Sequence, residues 1–149
     1  MVSEFIAAGG SFLIAVLWFD LMFDVQTRGH RGAVLPAEVL ASIAAYYRRV
    51  TTQATPMNRL VSVVMLATLV SIVAEIVTAP AHWVGWVSLL LAVSAIGLAA
   101  VRTVRNAVQL GREVDSAQRQ SELARSIYRD HLFCLTAMTT VVAVQLACV

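Results

Sequence analysis

Lysine is absent from this chain: its eleven Lys and Arg positions are all arginine. No side-chain amine is therefore available for a Schiff base or a lysine base. Charge is scarce as well. Only 13% of the 149 residues are charged, against about 25% in an ordinary soluble domain, and 59% are hydrophobic. Cysteine is nearly missing: Cys134 and Cys148 are the two present. On one helix they stand about 21 Å apart at 1.5 Å per residue, while a disulfide needs Cα atoms within about 7 Å. The sequence has no Cys-x-x-Cys, no Cys/His group at zinc spacing, no glycine-rich phosphate loop and no Gly-x-Ser-x-Gly elbow. Each absence removes a class of chemistry. The net charge of +2 is small, and the arginines fall in two blocks rather than over one face. That distribution marks membrane topology and not a nucleic-acid partner.

Long apolar runs are what the chain does have. They are Phe5 to Phe23, Leu60 to Val77, Trp83 to Val101 and Leu132 to Val149, each long enough to cross roughly 30 Å of hydrocarbon as a helix. The lipid bilayer is the expected solvent, and the expected fold is all-α: one four-helix integral membrane bundle over residues 1–149. Arg28, Arg31, Arg48, Arg49 and Arg59 lie between the first two runs. Arg102, Arg105, Arg112, Arg119, Arg125 and Arg129 lie between the last two, and the short connector Thr78 to His82 has none. The positive-inside rule then puts both long connectors in the cytoplasm and both termini outside, in a multi-pass protein of the inner (plasma) membrane. The first run lacks a basic leader and a small-residue cleavage site, so it reads as a retained span.

The two basic connectors read as helical arms. Pro36 suits the first turn of a helix running to about Val50, whose Leu40, Ile43, Ala44 and Tyr47 follow the i, i+3, i+4, i+7 pattern. Such a helix lies on the membrane surface or folds under the bundle. Thr55-Pro56 ends this arm and starts the second span. The third span has no breaker before Gly111, so it continues beyond the membrane to Leu110. Asp115-Ser116-Ala117-Gln118 resembles a capped start for a last helix carrying Leu123, Ala124, Ile127, His131 and Cys134 on one stripe. Small residues predict the helix contacts: Ala7, Ser11 and Ala15, to which Gly9 and Gly10 add; Ala67 and Ser71; Ser88, Ala92, Ala95 and Ala99.

Ionisable and polar groups converge at one depth, the arm end of all four spans. A charge near a helix centre costs about 2.5–3.5 kcal/mol on insertion scales, so acids placed there need a reason. Asp20 and His131 are the candidate catalytic pair, as proton-transfer groups or metal ligands, with no metal site assigned. Asn58, Arg59, Arg102, Arg105 and Asn106 are the candidate ligand-binding set. Asp20 and Asp24, at i and i+4, share a helix face. The plainer reading of Asp24 is a boundary acid held by Arg28, four residues on. For Asp20 it is interhelical pairing, for His131 a helix-end hydrogen bond, and for the arginines topology alone. At the other end, Glu75 is expected to face the bundle, with His82 or a lipid headgroup as its partner. No polar midplane site is visible, which counts against transport.

Tyr46-Tyr47-Arg48-Arg49, Thr55-Pro56-Met57-Asn58-Arg59-Leu60 and Arg105-Asn106-Ala107-Val108-Gln109-Leu110 resemble the small four-span anthrone-oxygenase-like membrane family. The resemblance implies cofactor-free oxidation of a lipophilic aromatic substrate, with Asn58, Asn106 and His131 as its functional positions. In that family an aromatic residue, a histidine and then an arginine precede or open the last span. Tyr128 and His131 fill the first two places, and Leu132 to Met138 contains no arginine. Two functions follow as expectations: binding or conversion of a lipophilic small molecule, as in an oxidoreductase, and, as the alternative, a non-catalytic accessory or assembly subunit of a larger membrane complex or homo-oligomer. The residues themselves name neither substrate nor cofactor.

Overall fold

The computed structural model describes residues 2–79 and 83–148; His82 lies outside them. The described residues form helices α1 (Val2–Asp24), α2 (Ala37–Arg48), α3 (Thr55–Thr78), α4 (Trp83–Leu98), α5 (Val104–Gly111) and α6 (Ala117–Cys148), with no strand among them. A π-helical turn, Ala99–Thr103, joins α4 to α5 without a break, and a second, Arg49–Gln53, extends α2. Four helical stretches, Val2–Thr27, Thr55–Thr78, Trp83–Gly111 and Ala117–Cys148, are long and apolar enough to cross a membrane. Exposed Phe5, Trp18, Phe19, Leu66, Val77 and Leu90 cover the bundle. Such a surface is a liability in water and the ordinary face of a span in lipid. The chain is an all-α, multi-pass membrane bundle.

In the bundle, α1 packs on α3 and α6, and α4 packs on α3 and α6. Ile6, Ile72, Ile76, Ala92 and Val141 fill the far end, away from the arms. Leu13, Ala95, Cys134, Ala137 and Met138 fill the middle. The small-residue expectation holds on α4, where Ser88, Ala92 and Ala95 are buried. It fails on α1, where Ser11 and Ala15 are exposed, and on α3, where Ala67 is exposed and Thr68, Ile72 and Glu75 are buried instead. The part of the α1 expectation that holds is the glycine pair, Gly9 and Gly10, which makes the close approach. A Cβ on Gly9 would lie 2.2 Å from Thr68 Oγ1, and one on Gly10 2.6 Å from Val142 Cγ2. Spacing alone gives a stripe but not the side on which the neighbours stand.

The arms make a second, dry core. Pro36 stands at the residue before α2, which packs on α5 and α6, and Leu40, Ile43, Ala44 and Tyr47 meet Ala107, Leu110, Leu123, Ala124 and Ile127. Of the two placements open to this amphipathic helix, it takes the one on protein. Ser116 Oγ accepts from Arg119 N at 3.3 Å and so caps α6. Arg125 pins the loop after α1 by donating to the carbonyls of His30, Gly32 and Ala33, and Ser121 Oγ accepts from Leu35 N at 2.9 Å.

Gly111 is where α5 touches the backbone of α2. A Cβ there would lie 2.7 Å from Arg48 N and 3.0 Å from Arg48 Cα, and backbone atoms cannot step aside as a flexible side chain does. Gly111→Ala is expected to cost about 1–3 kcal/mol as overpacking, read as a lower thermal midpoint in detergent with helix content unchanged at low temperature.

Candidate functional site

The first arm folds under the bundle and so sets two phenols beneath two carboxylates. Tyr46 stacks on Phe23 with ring centroids 4.0 Å apart, and the Tyr46 and Tyr47 rings meet edge-on at 5.2 Å. Tyr46 donates its hydroxyl to Asp20 Oδ1 and Tyr47 to Asp24 Oδ1, each at 2.7 Å. His131, from α6, reaches the same two acids. Its Nδ1 lies 2.6 Å from Asp24 Oδ2, and its Nε2 lies 3.8 Å from Asp20 Oδ2.

Asp24 is fully buried, and both its side-chain oxygens are engaged. It is not the boundary acid of Arg28 that the i+4 spacing suggests; its partners are Tyr47 and His131, from two other helices. A carboxylate that accepts from Nδ1–H fixes that tautomer and leaves the Nε2 lone pair free. Nε2 and the second oxygen of Asp20 are then the two groups of the cluster left to act on something else. At 3.8 Å they are too far apart for a direct hydrogen bond.

Those two groups sit on the wall of a cavity of about 550 Å³. The rest of its lining is mainly apolar, with Leu13, Leu17, Val61, Met65, Ile96 and Met138 among the contributors from all four spans. Its volume lies in the range of small-molecule pockets, which are mostly apolar with a few polar groups.

The expected site residues divide. Asp20, His131 and Asn58 line the cavity, and Asn58 Nδ2 donates to Thr51 O at 3.3 Å. Arg102, Arg105, Asn106 and Arg59 do not line it. Arg102 makes a two-pronged ion pair with Asp130, whose carboxylate is almost fully buried and also accepts from Thr103 Oγ1 at 3.2 Å. Arg102 and Thr103 both lie in the π-helical turn Ala99–Thr103, an irregularity common at functional sites. Asn106 Nδ2 lies 3.4 Å from Ser126 Oγ, while Arg59 and Arg105 are exposed. Among the described residues, no group of three or more His, Cys, Asp and Glu is arranged to hold a metal ion. Sequence reasoning missed the roles of Tyr46 and Tyr47. Their signal was available: two adjacent phenols on the inner face of a short arm helix, where leucine would pack as well.

Burial, followed by the Asp20 carboxylate, raises the Tyr46 phenol far above its ordinary value; burial, followed by Asp24, does the same for Tyr47. A raised folded-state value means that the associated stability is complete below the unfolded phenol value of about 10 and is lost as pH rises above it. Absorbance at the tyrosinate band, followed through an alkaline titration, should show these two of the three tyrosines ionising only together with loss of helix.

No protein-family model, curated protein or solved structure matches the chain.

Proposed function

We propose that this protein binds a lipophilic small molecule in the arm-end cavity and moves a proton on it, with His131 Nε2 as the base and Asp20 as its acidic counterpart. One observation carries the reading: a buried Asp24 holds His131 by Nδ1 at 2.6 Å, while Nε2 and Asp20 face each other at 3.8 Å on the wall of an apolar cavity. A base held by a third group is the usual arrangement for proton abstraction. Removing a proton from an acidic aromatic gives an electron-rich anion. Cofactor-free oxidation of the kind implied by the resemblance to the anthrone-oxygenase-like family starts from that state. Asn58 is the further candidate for orienting the substrate. The arginine distribution supports arms in the cytoplasm and termini outside, in the inner (plasma) membrane.

The test is to purify the protein from native membrane in mild detergent and to analyse an organic extract by mass spectrometry. A lipophilic compound should co-purify with the wild type and be lost from Val61→Trp, which fills the cavity. A stoichiometric partner protein and no compound above the variant's level would overturn the reading in favour of an assembly subunit.

A further inference from the structure

Where the end of α1 meets α6, the chain leaves an open hollow of about 390 Å³. Thr27 and Arg28 line it from one side, and Glu122, Arg125, Tyr128 and Arg129 of α6 from the other. Its three arginines are not held alike. Arg125 is fixed, its terminal nitrogens donating to the carbonyls of His30 at 3.2 Å and Ala33 at 3.0 Å. Those carbonyls satisfy its N–H groups without cancelling its charge. Arg28 and Arg129 are exposed, and among the described residues neither forms an ion pair. The one carboxylate of the hollow, Glu122, is already paired with Arg119 at 3.1 Å. Three guanidiniums around one hollow repel one another and gain from a shared anion.

We propose that this hollow binds the phosphate of an anionic phospholipid in the arm-side leaflet. A guanidinium fork presents paired N–H donors to phosphate oxygens, and the Tyr128 hydroxyl on the α6 wall is a further donor. Position selects a lipid over a free phosphate. Arg28 directly follows the apolar stretch Val2–Thr27, and Arg129 stands just before Leu132, where the last apolar run begins. Val25 shares one side of a 3₁₀ turn with Arg28, and Leu132 stands at i+3 from Arg129 on α6. They are 46% and 40% exposed. Apolar surface thus adjoins the hollow on its bundle side, and an acyl chain covers it while the headgroup sits among the arginines. Basic pockets between spans at the membrane border recognise anionic headgroups in this way. The hollow shares no lining residue with the His131 cavity and is independent of the function proposed for that cavity.

Titration of the purified protein in mild detergent with phosphatidylglycerol or phosphatidylcholine, with bound lipid counted by native mass spectrometry, tests the site. The wild type should retain one phosphatidylglycerol per chain, and should need about tenfold more phosphatidylcholine for the same occupancy. Arg28→Gln and Arg129→Gln should each weaken phosphatidylglycerol binding about fivefold. Both side chains are exposed, so the variants should fold as the wild type does. Arg59→Gln removes the same charge at the arm end of α3, outside the hollow, and should leave the binding unchanged. Equal retention of the two lipids, or equal losses in Arg129→Gln and Arg59→Gln, would overturn the proposal. Displacement of the lipid by millimolar inorganic phosphate would make the ligand a free anion and overturn it as well.

Discussion

Replacing His131 by Asn is expected to slow proton exchange on a bound carbon acid by about a hundredfold to ten-thousandfold, the range that general-base catalysis contributes. Asparagine is chosen for its shape. Its amide nitrogen falls near the place of Nδ1 and still donates to Asp24, while nothing replaces Nε2. The variant therefore keeps the bond that holds α6 to α1, which is 2.6 Å long in the wild type, and loses the atom that faces Asp20. Anthrone is a suitable probe, because its acidic methylene exchanges with solvent deuterium in a reaction that proton NMR follows without any oxidant. Asp20→Asn should also slow exchange, with thermal stability within about 1 kcal/mol of wild type, since an amide can still accept from Tyr46. If both variants exchange anthrone protons at the wild-type rate, His131 is no base. If both lose activity only in proportion to folded protein, the cluster is structural.

Asp24 should separate stability from chemistry more sharply than any other position. Asp24→Ala leaves the Tyr47 hydroxyl and His131 Nδ1 without their acceptor in a space with no solvent. Removing one member of a buried, hydrogen-bonded charge cluster costs about 3–5 kcal/mol, enough to unfold a marginal bundle. Asp24→Asn keeps the shape, and its oxygen still accepts from Tyr47. Its amide nitrogen then faces Nδ1, which favours the other imidazole tautomer, with the proton on Nε2 and no lone pair toward Asp20. Stability should fall modestly while exchange falls by orders of magnitude, as the wrong tautomer does elsewhere in triad chemistry. Nitrogen-15 shifts of the His131 ring would report the tautomer directly. An Asp24→Asn variant with wild-type exchange would remove the orienting role assigned to Asp24.

Much of the architecture is legible because lipid acts residue by residue. Apolar runs long enough to span mark the helices, Pro36 and Pro56 mark two starts, and Gly111 ends the long third rod. The convergence of Asp20, Asn58, Asp130 and His131 at one level is legible too, since depth is only a count of residues at a fixed rise. Partner choice is not. Arg28 stands one turn from Asp24 and is the obvious local answer. The real partners lie 23 and 107 residues away, and a pattern confined to one helix carries no information about them. Tyr47 satisfies the apolar period of α2 equally well as a core residue, because periodicity reads the ring and not its hydroxyl. Gln145 sits inside an apolar run, and nothing nearby in the sequence announces its buried partners Glu75 and Ser88.

The sequence by itself determined the solvent, the number of spans, the arm helices and the depth of each polar group, because these follow from transfer free energy and helical rise, which are local. Only the tertiary structure decided which faces meet. It turned Asp24 from a boundary acid into the group that orients His131, left Arg59 and Arg105 at the surface, gave Arg102 to Asp130, and opened a cavity beside Asp20. Each of these outcomes depends on the rotation of one helix against another, and that is fixed by close packing between residues far apart in the chain.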